Sequence, residues 1–244
     1  MPNWVITRIQ ITGSEDKIKE FEDKNILPNE DKDGEFQRVF SFNRIKERPE
    51  ELTNTISPDP KPKVRKAKDM QGNEIEVEVY SDIINEWEIQ AAIKRGETPP
   101  APIPCNNATP DQQRELLYKF GRSNWYDWNL HNWGTKWDCS NPTYDKENKV
   151  LEFQTAWSCP DTILQEMFEQ FPDLNFEGSF ADEDFGSNAG YIGNDIGFHP
   201  LESQSEEAYE IAATLWGYEG HYDDEKGRWI FDGEEDEEED EDDE

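Results

Sequence analysis

Apolar residues are scarce in this chain of 244 residues, at 33% of the total, and no run of them approaches the roughly 18 needed to cross a bilayer. A membrane is therefore not an expected partner. The opening residues, Met1-Pro2-Asn3-Trp4, lack the basic and apolar blocks of a signal peptide. Cysteine is equally sparse. Cys105, Cys139 and Cys159 are odd in number, widely spaced and without a CxxC, which excludes a disulfide framework and suits a reducing compartment. These three shortages point to the cytoplasm. Basic residues are the fourth shortage: 24 Lys and Arg stand against 57 Asp and Glu, a net charge of −33. Such a charge repels phosphate backbones and anionic lipid, disfavours direct nucleic-acid binding, and draws basic surfaces.

Chemical motifs are missing too. No Gly-x-Ser-x-Gly elbow is present. Gly186 to Gly197 lacks the Lys-Ser/Thr of a phosphate loop and lies among acids. His131 and Cys139 are near in sequence, but neither belongs to a pair at zinc spacing, and His199 and His221 are isolated. Asn29-x-Asp31-x-Asp33-Gly34 begins like a calcium loop, yet Phe40 stands where the bidentate Glu belongs. Carboxylates are too abundant for any pair to signal an acid and base. No catalytic residues, cofactor or metal are expected, and the chain reads as a binding protein rather than an enzyme.

What is present is charge at one end and large aromatics. Residues 177–244 hold 25 acidic and two basic residues, a net of −23, and Glu234 to Glu244 are all acidic. Aromatics make up 12% of the chain, nine of them Trp, and each buries enough area for a core to form from few apolar groups.

The elements follow from periodicity. Trp4 to Thr12 reads as a strand with Val5, Ile9 and Ile11 inward. Ser14 caps a helix with Glu15 and Asp16 in its first turn and Ile18 and Phe21 inward. A second strand is expected from Phe36 to Phe42. Residues 46–122 read as an insertion: a Pro-rich loop, a hairpin of Lys63–Lys68 and Glu74–Tyr80 about Gln71-Gly72-Asn73, an amphipathic helix carrying Ile83, Ile84 and Trp87, a Pro-rich linker, and a helix from Thr109-Pro110 to Gly121. A third strand is expected over Val150 to Trp157 with Leu151, Phe153 and Trp157 alternating. Then come a helix with Ile163, Leu164, Met167 and Phe168 inward and a fourth strand through Leu174, Phe176 and Phe180.

Without the insertion the order is strand, helix, strand, strand, helix, strand. That is an α+β ferredoxin-like split βαβ sandwich, an antiparallel sheet with two helices on one face. Residues 1–45 and 123–200 make the discontinuous core. Residues 201–233 add a helix, capped by Ser203 and closed by Gly217, and a hairpin about Glu225-Lys226-Gly227. Residues 234–244 are expected to be a disordered acidic tail, since like charges repel and bury nothing.

Several segments carry a resemblance. Met1-Pro2-Asn3-Trp4, Phe40-Ser41-Phe42-Asn43, Asn124-Trp125-Tyr126-Asp127-Trp128, Asn132-Trp133-Gly134-Thr135-Lys136-Trp137, Phe153-x-Thr155-Ala156-Trp157-Ser158 and Phe171-Pro172 together resemble the YubB family, over roughly residues 1–45 and 120–200. That resemblance implies a ferredoxin-like fold and an origin in bacteriophages or conjugative plasmids, hence a bacterial host cell. It implies no reaction.

The expected function is that of an accessory protein which binds and inhibits a host protein with a basic surface, a nucleic-acid-binding defence or regulatory factor being the natural target. The contact would be a DNA-mimic-like acidic surface of Asp182, Glu183, Asp184, Asp195, Glu202, Glu206, Glu207 and Glu210. The alternative is a nucleic-acid-binding protein using the sheet and the aromatic segment of Trp125, Trp128, Trp133, Lys136 and Trp137. Against it stands the plain reading that those rings plug one end of the sheet. The expected assembly is a monomer or homodimer.

Overall fold

The computed structural model describes residues 2–27, 39–53, 55, 63–69, 71–79, 94–96 and 110–233. The calcium-like loop at Asn29, the start of the expected Phe36 strand, the helix after Tyr80, the Pro-rich linker and the acidic tail lie outside the described residues. The elements are β1 (Trp4–Thr12), α1 (Glu15–Asn25), a 3-10 turn (Phe42–Arg44), α2 (Glu50–Thr53), β2 (Lys63–Lys68), β3 (Glu74–Val79), α3 (Pro110–Phe120), α4 (Trp125–Asn132), β4 (Ser140–Asp145), β5 (Val150–Ala156), α5 (Asp161–Gln170), β6 (Asn175–Asp182), β7 (Gly190–Gly193), β8 (Gly197–Pro200), α6 (Glu206–Trp216), β9 (Gly220–Asp223) and β10 (Arg228–Phe231). The chain divides into two compact units, Met1–Lys46 with Trp133–Glu244, and Glu47–Asn132.

The first unit holds a six-stranded sheet in the order β4-β5-β1-β6-β7-β8, with every neighbouring pair antiparallel. Taken without the β7–β8 hairpin, β1, α1, β4, β5, α5 and β6 make the ferredoxin-like order. Period-2 alternation sends Val5, Ile9, Ile11, Leu151, Phe153, Phe176 and Phe180 to one face, all essentially inaccessible to solvent. Helices α1 and α5 cover that face. Phe21 of α1 lies edge-on to Phe176 at 5.8 Å, and Phe168 of α5 stacks on the same ring at 5.0 Å.

One strand differs from expectation. The second strand of the sandwich is β4, beyond the insertion, and the described part of Phe36–Phe42 is not a strand. Phe40 and Phe42 are still fully buried, packed on Phe153 at 5.9 and 5.5 Å. Their backbone is held by a carboxylate instead of a ladder: Phe42 N–H donates to Asp138 Oδ1 (2.8 Å) and Ser41 Oγ to Asp138 Oδ2 (2.6 Å). β4 hides in the sequence because it is polar, carries Pro142 and shifts register between Ser140 and Thr143. All three features are tolerated where a strand forms the edge of a sheet.

A third layer was not anticipated either. Helix α6 packs Ala208, Ile211, Ala212 and Leu215 on the opposite face of the sheet, against Ile6 and Ala181. Small side chains on both sides let the helix approach closely, and Trp216 Nε1 donates to the Ala181 carbonyl at 3.2 Å. Its cap is Ser205, whose Oγ accepts from Ala208 N–H at 3.2 Å, rather than Ser203. Gly217 closes it in the left-handed region (φ 73°).

In the second unit β2 and β3 form the expected hairpin, with Lys66 opposite Glu76 and Lys68 opposite Glu74. Helix α4 went unforeseen, although Asn124 is a recognisable cap: its Oδ1 accepts from Asp127 N–H at 2.9 Å and its Nδ2 donates to the Asp127 carboxylate at 2.8 Å. Trp125 N–H donates to Thr55 Oγ1 at 2.9 Å.

Two predictions come from this packing. Phe153→Ala opens a cavity under Phe40 and Phe42 and is expected to cost about 3–5 kcal/mol in urea unfolding. The second concerns Glu22 of α1, which accepts from Tyr144 Oη (2.8 Å) and Lys149 Nζ (2.9 Å). Burial pushes this carboxyl up, but those two hydrogen bonds and the Lys149 charge outweigh it and hold it below its ordinary value. Its stabilisation is therefore present above the unfolded carboxylate range and lost as pH falls through the folded value. Urea midpoints of Glu22→Gln and the natural protein should differ fully at pH 7 and converge below about pH 4.

Candidate protein-interaction face

The acidic C-terminal region is built on ordered elements. From residue 177 to residue 225 there are thirteen acids and neither Lys nor Arg. β6 ends at Asp182, which is 5% exposed and accepts from Asp184 N–H (2.8 Å), Asn3 Nδ2 (3.2 Å) and Asn188 Nδ2 (3.2 Å). Asp182 thus leaves the expected contact surface: its oxygens organise the loop that follows. Phe185 anchors that loop, its ring lying 5.2–5.8 Å from those of Tyr209, Tyr218, Trp229 and Phe231. Gly186 turns beneath Tyr209 at φ 79°, where a Cβ would fall 2.4 Å from the ring.

Glu183 and Asp184 consequently project from a fixed loop and are exposed, as are Asp195, Glu202, Glu206, Glu207 and Glu210. Glu206 and Glu207 occupy the first turn of α6, where the helix dipole favours them. Glu207 accepts from Tyr191 Oη at 2.9 Å. Burial first, and that carboxylate second, raise the Tyr191 phenol above its usual value. No ion pair is recorded for these seven exposed acids among the described residues.

The aromatic segment does not act as one surface. Trp133 is 1% exposed, packs on Phe42 at 6.0 Å and donates from Nε1 to the Lys46 carbonyl at 3.0 Å, so it belongs to the core. In the second unit Trp128 is buried, and Trp125 is half-buried and edge-on to Tyr126. The part of the α6 face that the helix leaves open carries Arg8, Gln10, Glu152, Gln154, Glu177 and Ser179 across the centre of β1, β5 and β6, none of them aromatic. Arg8 is paired there with Glu152 at 2.7 Å.

One exposed pair remains. Trp137 (38% exposed) stacks with Trp157 (49% exposed), centroids 6.1 Å apart and planes at 25°, and the Lys136 ammonium lies 4.4 and 5.3 Å from the two ring centroids. Trp157 corrects the strand reading. β5 stops at Ala156, and Trp157 takes φ 67°, which turns the indole away from the core that alternation assigned to it. A bulky residue in this left-handed region costs about 1–3 kcal/mol. The conformation is enforced by Trp157 N–H donating to the Asn3 carbonyl (2.9 Å), Thr155 Oγ1 to the Ser158 carbonyl (2.7 Å) and Asn188 Nδ2 to the Trp157 carbonyl (3.2 Å).

Among the described residues, reactive groups are not assembled. Cys139 and Cys159 are buried free thiols, and burial pushes the Cys159 thiol well up, away from a nucleophilic thiolate. His131, His199 and His221 are exposed and separate, and no cluster of metal-ligating side chains occurs among the described residues. A cleft of about 870 Å³ beside α1 and β4 has Glu22, Tyr144 and Lys149 on its wall, already bonded to one another. No helix among the described residues is long and apolar enough to cross a membrane.

Strand order and helix placement thus define an α+β protein with a ferredoxin-like sandwich. Residues 132–244 match the family described as a ferredoxin-like domain in Api92-like protein. No curated protein and no solved structure matches the chain. The match begins just before β4, so β1 and α1, two of the three elements of the first βαβ, lie outside it.

The organising role of Asp182 is directly measurable. Asp182→Ala strips the Asp184 N–H, Asn3 and Asn188 of their acceptor. It should cost about 1–3 kcal/mol in urea unfolding, and it should expose the Glu183–Ser187 backbone amides to faster hydrogen exchange.

Proposed function

We propose that this is a non-enzymatic accessory protein of a phage or conjugative plasmid that binds and blocks a basic, nucleic-acid-binding protein of its bacterial host. The observation that carries this reading is the set of exposed carboxylates on fixed elements from Glu183 to Glu210, none of them in an ion pair among the described residues. A DNA mimic needs dense negative charge on a rigid surface, since the duplex it replaces carries one charge per roughly 1.7 Å of axis. Glu183 and Asp184 sit on the loop pinned by Asp182 and Phe185, and Glu206, Glu207 and Glu210 on a helix packed to the sheet. The resemblance of the Trp- and Asn-rich segments to the YubB family supports the mobile-element origin. Direct nucleic-acid binding has less support, because the charge opposes it and the sheet centre lacks stacking rings.

The test is capture from lysate of a bacterial host by the full-length protein, beside a variant carrying Glu183→Gln, Asp184→Asn, Glu206→Gln and Glu210→Gln. A nucleic-acid-binding protein should be retained, displaced by duplex DNA, and released as salt rises from about 0.1 to 0.5 M. The variant should retain at least tenfold less of it. Retention indifferent to both salt and charge removal would refute the mimic.

A further inference from the structure

The geometry points to the Trp137–Trp157 pair as the anchor for an arginine side chain of the basic partner, an assignment that rests on the acidic-face reading and deepens it. An exposed tryptophan in the left-handed region, as Trp157 is, is an outlier that needs a cause. Glycine at position 157 would adopt the same backbone without strain, so the indole is held outward at the expense of stability.

The surroundings specify the ligand. The ends of β5, β1 and β6 lie side by side at this rim of the sheet, since Trp4 pairs with Ala156 and Val5 with Asp182. Trp157 and Glu183 therefore follow strands separated only by β1, about 10 Å apart at the usual strand spacing. Asn188 bridges the ends of the two strands, donating both to the Trp157 carbonyl and to Asp182. Because a carboxylate only accepts, the amide nitrogens of the exposed residues Asn3 and Asn188 face Asp182, and their side-chain carbonyl oxygens take no part in that contact.

The rim thus offers indole faces, amide carbonyls and the carboxylates of Glu183 and Asp184, all of which attract a planar cation rich in donors. Lys136 shows that the pair's faces already draw a cation. A guanidinium satisfies the three demands at once by stacking and by its five N–H groups, whereas an ammonium cannot stack. The base of a nucleotide would stack, but its phosphate would be repelled by the negative charge of Glu183 and Asp184.

The experiment titrates full-length protein, at about 0.15 M salt, with an Arg-Gly repeat peptide and a Lys-Gly peptide of equal length and charge, reading Trp fluorescence and calorimetric Kd. The Arg peptide should bind about two- to fivefold tighter and quench Trp emission. Trp157→Gly should raise Tm yet bring the ratio of the two affinities to about 1, and Trp157→Asn, also tolerant of this backbone, should do the same. The double variant Glu183→Gln, Asp184→Asn should weaken both peptides.

Equal affinities in the natural protein, or a ratio unmoved by either substitution at 157, would overturn the anchor while leaving the acidic face intact. Peptides that keep their affinity when those acids are neutralised would overturn the acidic-face reading instead. Quenching by a single-stranded oligonucleotide that depends on Trp157, without the arginine preference, would give the indole pair to bases and overturn the proposal.

Discussion

β1 is hydrogen-bonded along both edges, to β5 on one side and β6 on the other, and the rest of the first unit depends on that double pairing. Near its start β1 buries side chains on both faces, while Arg8 and Gln10 farther along face the open part of the sheet. Val5, Ile9 and Ile11 meet the Phe153 and Phe176 side of the core, while Ile6 meets α6. Each face therefore recruits its own helical layer, two helices on one and one on the other. The antiparallel register also fixes which chain ends gather at each rim, because β1 begins where β5 and β6 finish. Asn3, Trp157 and Asp182 become neighbours for that reason, although 154 and 25 positions separate them along the chain.

The same rim shows how stability and exposure are divided. Asp182 is withdrawn from the surface and accepts from three donors, and the order it imposes lets Glu183 and Asp184 stand out from a fixed loop. Charges on such a loop lose little conformational entropy when a partner arrives. Trp157 is the converse case, a large apolar group kept out of the core by a strained backbone that three hydrogen bonds enforce. One carboxylate has gone inside and one indole outside. Both reversals lie in the same cluster, where a departure from the usual partition is most informative.

Helices and alternating strands were legible because their periodicity is local. Ile163, Leu164, Met167 and Phe168 face the core as their spacing requires, and Gly217 ends α6 as a left-handed cap. Polar edge elements were not legible. β4 carries Pro142 and a register shift that only an edge can absorb, and β7 and β8 are four residues each. Phe40 and Phe42 illustrate an intermediate case. Their alternation correctly announced burial, but Asp138, almost a hundred residues away, supplies the hydrogen bonds that a neighbouring strand would have provided.

By itself the sequence determined the charge, its concentration after residue 176, the α+β class and most of the inward-facing side chains, since composition and periodicity need no knowledge of distant contacts. Only the tertiary structure decided which acids are surface and which are scaffold, because burial of Asp182 depends on Asn3 and Asn188 converging on it. It alone decided which tryptophans are core. Trp133 and Trp137 lie four residues apart in one motif, yet one packs on Phe42 and the other stacks outside on Trp157. That choice is made by strands meeting at one end of a sheet, and pairing between remote segments is the physical information that a local pattern does not carry.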